Sequence, residues 1–105
     1  MKEYKDAMAK FSPRGNPDDA FSAYGWTAAA TMVKALDDMK EPTRDALMES
    51  IRSMDTEIPM LLPGVDVKMD GESDGFAIEA MQIMKFDGEN WQLEGDVIQA
   101  SAQDE

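Results

Sequence analysis

The chain has 105 residues, 43% of them apolar, which is enough for one modest core and at most one domain. Its net charge of −12 comes from acids dispersed along the chain, a surface that repels phosphate backbones and argues against nucleic-acid binding. Cysteine and histidine are both absent, which excludes disulfides, thiolate nucleophiles, Cys/His zinc sites and imidazole acid–base chemistry together.

Apolar residues at Tyr4, Ala7, Met8 and Phe11 follow the i, i+3, i+4, i+7 spacing of a short amphipathic helix over Lys2 to Phe11, which Ser12-Pro13-Arg14-Gly15 ends. A second helix is expected to start with Asn16 as cap and Pro17 in the first position. Asp18 and Asp19 place negative charge in its first turn. It runs to about Met39, stopped by Pro42. Phe21, Tyr24, Ala28, Met32, Ala35 and Met39 share one face, with Trp26, Ala29, Val33 and Leu36 on neighbouring rows. A helix apolar around so much of its circumference wants partners on more than one side. The run Ala28-Ala29-Ala30 permits close approach by another backbone element.

Thr43 offers the cap of a third helix whose inward stripe is Leu47, Ile51 and Met54, ending near Ser53 or Met54. From Asp55 the period changes. Pro59 and Pro63 bracket an extended segment, and Gly64 precedes a strand in which Val65, Val67 and Met69 alternate with Asp66 and Lys68. Asp70 to Gly75 reads as an acidic loop. The end reads as a β-hairpin: Ala80 to Phe86, a turn at Asp87-Gly88-Glu89-Asn90, and a return strand from Trp91 to Ile98. Phe86 and Trp91 are placed to pair across it. Ser101 to Glu105 are expected to fray.

Few residues suggest chemistry. Asp70-x-Glu72-x-Asp74-Gly75 imitates the start of a calcium loop, yet the twelfth position, which needs a bidentate carboxylate, is Met81. A solvated acidic turn is the reading taken, and no metal or other cofactor is expected. No nucleophile, base and oxyanion donor can be assembled, so no enzyme activity is expected. Seven of the ten methionines (Met32, Met39, Met48, Met54, Met60, Met81, Met84) fall on inward positions or strand edges, where core filling is the default. Tyr24 and Trp26 carry the one ligand-binding reading with a mechanism. Aromatic rings in the first turns of a helix can wall an apolar pocket beside free N–H groups. The bland alternative is that both rings are core residues.

The order of several motifs resembles one family. Asn16-Pro17-Asp18-Asp19-Ala20-Phe21, Tyr24-Gly25-Trp26-Thr27-Ala28-Ala29, Leu36 and Thr43-Arg44-Asp45-Ala46-Leu47-Met48 come first. Ile58-Pro59-Met60-Leu61-Leu62-Pro63-Gly64-Val65-Asp66-Val67, Met81 to Gly88 and Trp91 follow. Together they resemble the C-terminal part of the substrate-binding subunit of branched-chain amino-acid-type ABC transporters, the Leu/Ile/Val-binding, type I periplasmic binding proteins. The resemblance spans Tyr4 to Ile98. It implies a parent of two α/β lobes joined by three crossovers, closing around an amino acid or related small amide and signalling to a membrane permease. Within it, this chain supplies late helices of one lobe, the last crossover through Leu61 to Met69, and a hairpin leaning on the other lobe. It also implies that an aromatic of the Tyr-Gly-aromatic motif, Tyr24 or Trp26, lies against the ligand side chain. Trp26 stands where tyrosine is common, which alters pocket volume.

The fold expected is therefore α/β overall and α+β for residues 1–105 alone: a helical part over 2–57, crossover strand and hairpin over 58–98, and a tail over 99–105. By itself the chain is expected to bind ligand poorly and to form a homodimer. The competing reading is a small autonomous interaction or dimerisation domain. No apolar run is long enough to span a membrane. Met1-Lys2-Glu3-Tyr4-Lys5-Asp6 lacks the apolar stretch of a signal peptide, so a periplasmic or extracellular location is expected of the parent rather than of the chain as written.

Overall fold

The computed structural model describes residues 1–73 and 75–100, in the order α1 (Lys2–Phe11), α2 (Ala20–Asp38), α3 (Arg44–Arg52), β1 (Asp55–Thr56), β2 (Val67–Lys68), β3 (Ala80–Phe86) and β4 (Trp91–Gln99). Three helices followed by a strand and a hairpin is the architecture the periodicities predicted. Both ladders among the described residues are antiparallel. The expected fraying segment, residues 101–105, lies outside the described residues, as does Asp74 of the acidic loop.

α1 buries Tyr4 and half-buries Ala7 and Met8, but Phe11 leaves the expected stripe and stands in solvent beneath the Lys10 ammonium, 4.9 Å from its ring. The Ser12 N–H closes the helix on the Met8 carbonyl. Gly15 lets the following turn fit closely, because a Cβ there would sit 2.8 Å from Ser12 Oγ and 2.9 Å from Met8 Cε and those side-chain ends would have to shift.

The start of α2 corrects the sequence reading. Asn16 does not cap the helix; its Oδ1 accepts the Asp18 N–H, and Pro17 occupies the second position of a turn closed by the Asp19 N–H on the Asn16 carbonyl. Asn and Pro in that order suit a turn at least as well as a helix start. Asp19 is the cap, its carboxylate accepting the Ser22 N–H at 2.8 Å, and the helix begins at Ala20. α3 starts as expected, with Thr43 Oγ1 accepting the Ala46 N–H.

The core is small: Ala35, Met54, Ile58 and Val67, ringed by half-buried Ala30, Leu47, Ile51, Leu61, Met69 and Ala77. Polar bonds fix its pieces. Ser50 Oγ donates to the Ala35 carbonyl at 2.7 Å, joining α3 to α2. Thr27 Oγ1, shared with the Ala23 carbonyl, reaches the Pro59 carbonyl at 3.3 Å. β1 pairs with β2 (Asp55 opposite Lys68, Thr56 opposite Val67), and the Met69 N–H extends the contact to the Met54 carbonyl. β1 was not foreseen: two residues are too short for any periodicity to show. In the connecting segment Met60 adopts φ 78° after Pro59, and the Leu61 N–H faces the Ile58 carbonyl. Its third position is one that normally takes glycine or asparagine.

α2 packs by a narrower face than predicted. Ala35 is buried, but on the same expected face Phe21 is 85% and Tyr24 74% exposed, and Met32 is also open to water. The expected methionine core is corrected likewise. Met54 is buried and Met39 and Met60 are half-buried, while Met32, Met48, Met81 and Met84 are exposed. The reason is architectural: α1, α3 and the 58–69 segment pack against the other rows of α2, and among the described residues nothing covers Phe21, Tyr24 and Met32.

The hairpin pairs Phe86 with Trp91, Met84 with Leu93 and Ile83 with Glu94. Its register then slips, so that Gly95, Asp96 and Val97 lie opposite Gln82 before Met81 meets Ile98. Gly95, at φ 74°, makes this bulge possible, and its carbonyl accepts from Gln82 Nε2. Phe86 and Trp91 stack at 5.4 Å between ring centres, tilted by 48°. Asp87 organises the turn. Its Oδ1 accepts the N–H groups of Glu89 and Asn90, and Oδ2 accepts from Gln92. The hairpin is largely open: Met81, Ile83, Phe86, Trp91 and Leu93 are each more than half exposed.

The result is one layer. The Cα atoms span 47 × 42 × 16 Å with a radius of gyration of 16.3 Å, against about 13 Å for a compact chain of this length. The surface is 8375 Å², whereas about 5,800 Å² is usual for a compact 11.6 kDa protein. The chain exposes surface that a complete domain buries.

Candidate functional site

Trp26 lies on the second turn of α2 and packs edge-on against Tyr4 of α1, with ring centres 5.6 Å apart at 64°. Tyr4 is 1% exposed and its hydroxyl, fully buried, has no hydrogen-bond partner among the described residues. Beyond Trp26 the α2 surface continues through Ala29, Ala30 and Val33 and meets Ile58 and Pro59, forming an open apolar groove of about 440 Å³. This volume is within the range of small-molecule sites, though the groove is walled on one side only.

The rim is acidic. Glu3, Asp37 and Glu57 border the groove, and the single ammonium there, Lys34, is held by Asp38 at 2.7 Å. Such a field favours a cationic group and offers little to a carboxylate. The free N–H groups anticipated near the aromatics are not at their level. With α2 starting at Ala20, Tyr24 and Trp26 lie beyond the first turn, where amides bond within the helix.

The two sequence-predicted residues are not brought together. They project about 200° apart around α2, so Trp26 faces the groove while Tyr24 points into solvent on the far side. Sequence reasoning missed Ile58, Pro59 and Tyr4. The signal for the first two was the apolar start of the extended segment after α3. The Ala28-Ala29-Ala30 run did anticipate the close approach, with Ala30 against the core and the Pro59 backbone bonded to Thr27.

A family model described as periplasmic binding protein matches residues 1–90, from α1 through the hairpin turn. The chain belongs to the periplasmic binding protein family. This is a family of solute-binding receptors and not of enzymes, whose members bind small molecules. β4 lies beyond the matched residues. No curated protein and no solved structure matches the chain.

Proposed function

We propose that this periplasmic binding protein chain is part of an extracytoplasmic receptor of the Leu/Ile/Val-binding type. That receptor captures an amino acid or a related small amide for import through an ABC permease. The observation that carries the reading is the single-layer architecture of a chain matched to a receptor family over residues 1–90. A receptor lobe needs helices on both faces of a sheet, and this chain supplies one layer with both its α2 and hairpin faces open. In that setting Trp26 presents an apolar wall to the ligand side chain, and the acidic rim favours the ammonium. The groups that grip the carboxylate come from elsewhere in the receptor. Tyr24, facing away, serves the ligand only through the covering lobe.

The chain alone is therefore a poor ligand binder, and its open faces drive it to self-associate as a homodimer. The test is a chimaera in which residues 1–90 replace the matching segment of a full receptor of the family. Calorimetry should show micromolar leucine affinity for the chimaera, none tighter than millimolar for the isolated chain, and a loss on Trp26→Ala. A folded chimaera in which neither Trp26→Ala nor Tyr24→Ala changes affinity would refute the assignment of the site.

A further inference from the structure

The open side of α2 has a pattern of its own. From Tyr24 round to Val33, about half the circumference of α2 carries no Asp, Glu, Lys or Arg in a chain of net charge −12, and within it Ala35 alone is buried, against α3. Along the middle of that arc stand the large residues Phe21, Met32 and Leu36, 85%, 47% and 42% exposed, and the small residues Gly25, Ala28 and Ala29, with Tyr24 on one margin and Val33 on the other. Their order is symmetric. Positions 21 and 36, 25 and 32, and 28 and 29 are equidistant from a point between Ala28 and Ala29. When two α2 helices run antiparallel about a two-fold axis at that point, Met32 of each falls opposite Gly25 of the other. Phe21 then meets Leu36, and the alanines let the backbones approach at the centre. A self-complementary patch closes under such an axis.

Among the described residues nothing requires glycine at position 25. Glycine weakens a helix interior relative to alanine. Its φ is not positive, and an added Cβ would meet no atom of the chain within 4 Å. A hole for Met32 of a second copy accounts for it.

We infer that the Phe21–Leu36 face of α2 is the self-association surface of this chain, its occupant a second copy of α2 packed antiparallel. The contact runs about 22 Å along the helix. Like-charged copies approach best where neither carries charge, and the charged groups of α2 (Lys34, Asp37, Asp38) lie outside the arc. The inference rests on the self-association part of the proposed function, and the face shares Ala29 with the groove beside Trp26.

The absence of cysteine makes the register directly testable in the full chain. Gly25→Cys and Met32→Cys are made separately and oxidised mildly, alone and mixed. The mixture should yield severalfold more cross-linked dimer than either variant alone, and Phe21→Cys with Leu36→Cys should behave in the same way. Ala28→Glu should weaken dimerisation about tenfold or more with helical circular dichroism preserved, while Met84→Glu on the hairpin leaves it unchanged. Equal homotypic and heterotypic cross-linking would overturn the register. A dimer lost through Met84→Glu but not Ala28→Glu would move the interface to the hairpin. A strictly monomeric chain would overturn both the inference and the self-association it rests on.

Discussion

Replacing Tyr4 by phenylalanine should stabilise the protein. The ring is buried and touches Trp26 edge-on, a contact that phenylalanine preserves, whereas the hydroxyl is buried with no partner among the described residues. An unsatisfied buried hydroxyl costs about 1–3 kcal/mol relative to its hydration in the unfolded chain. Some of that is offset by lost dispersion from one oxygen, so a gain of about 1 kcal/mol is expected for Tyr4→Phe. In a chain of this size the corresponding rise in Tm is about 4–8 °C. Tyr4→Ala, which removes the ring that holds α1 to α2, should instead lose about 3–5 kcal/mol. Urea unfolding followed by far-UV circular dichroism measures all three proteins. It should be run at one fixed concentration, because self-association adds to apparent stability. The slope should be unchanged for Tyr4→Phe and the midpoint raised. A loss of 1 kcal/mol or more at constant slope would mean that the hydroxyl has a partner, and that α1 does not seat on α2 as described.

The corrected helix start predicts an asymmetry: Asp19→Ala should cost about 1 kcal/mol, and Asn16→Ala clearly less, by the same denaturation assay. Titrated calorimetrically, leucine should bind the isolated chain more weakly than millimolar, since one wall and an acidic rim leave a buried carboxylate unsatisfied. The Asp87 carboxylate is held below its ordinary value of 3.8 by the Asn90 N–H first, then the Glu89 N–H and the Gln92 amide. A lowered folded-state pKa stabilises the turn fully above that ordinary value, and the stabilisation disappears as pH falls through the lowered one. Trp91 fluorescence should therefore report a hairpin that loosens only in acid, and Asp87→Asn should remove that dependence.

Where a local rule acts alone, the sequence was legible. The helix of Lys2–Phe11, the Thr43 cap and the Asp87–Asn90 turn flanked by Phe86 and Trp91 all follow from spacing and side-chain chemistry within a few residues. Asn16 and Asp19 show the limit of such rules. Both are good caps, and only the turn around Pro17 decides between them. Burial was less legible because apolar residues on α2 and the hairpin signal surfaces that want cover, without saying whether this chain provides it. Phe21, Met32 and Met84 look like core in the sequence and lie open in the structure for that reason. At the site, Trp26 and Tyr24 are adjacent in the motif yet point apart, because two residues along a helix turn the side chain by about 200°. The groove beside Trp26 depends on Ile58 and Pro59, brought in by packing against α2 and by a hydrogen bond to Thr27 across 32 positions.

An open single layer of a binding protein needs cover for the apolar faces of α2 and the hairpin. Sedimentation equilibrium from nanomolar to high micromolar concentration, at physiological salt where charge repulsion is screened over about 8 Å, tests that need most directly. The weight-average mass should rise with concentration from 11.6 kDa toward twice that value. A compact monomer across the whole range would contradict it, because the chain would then be covering its own core.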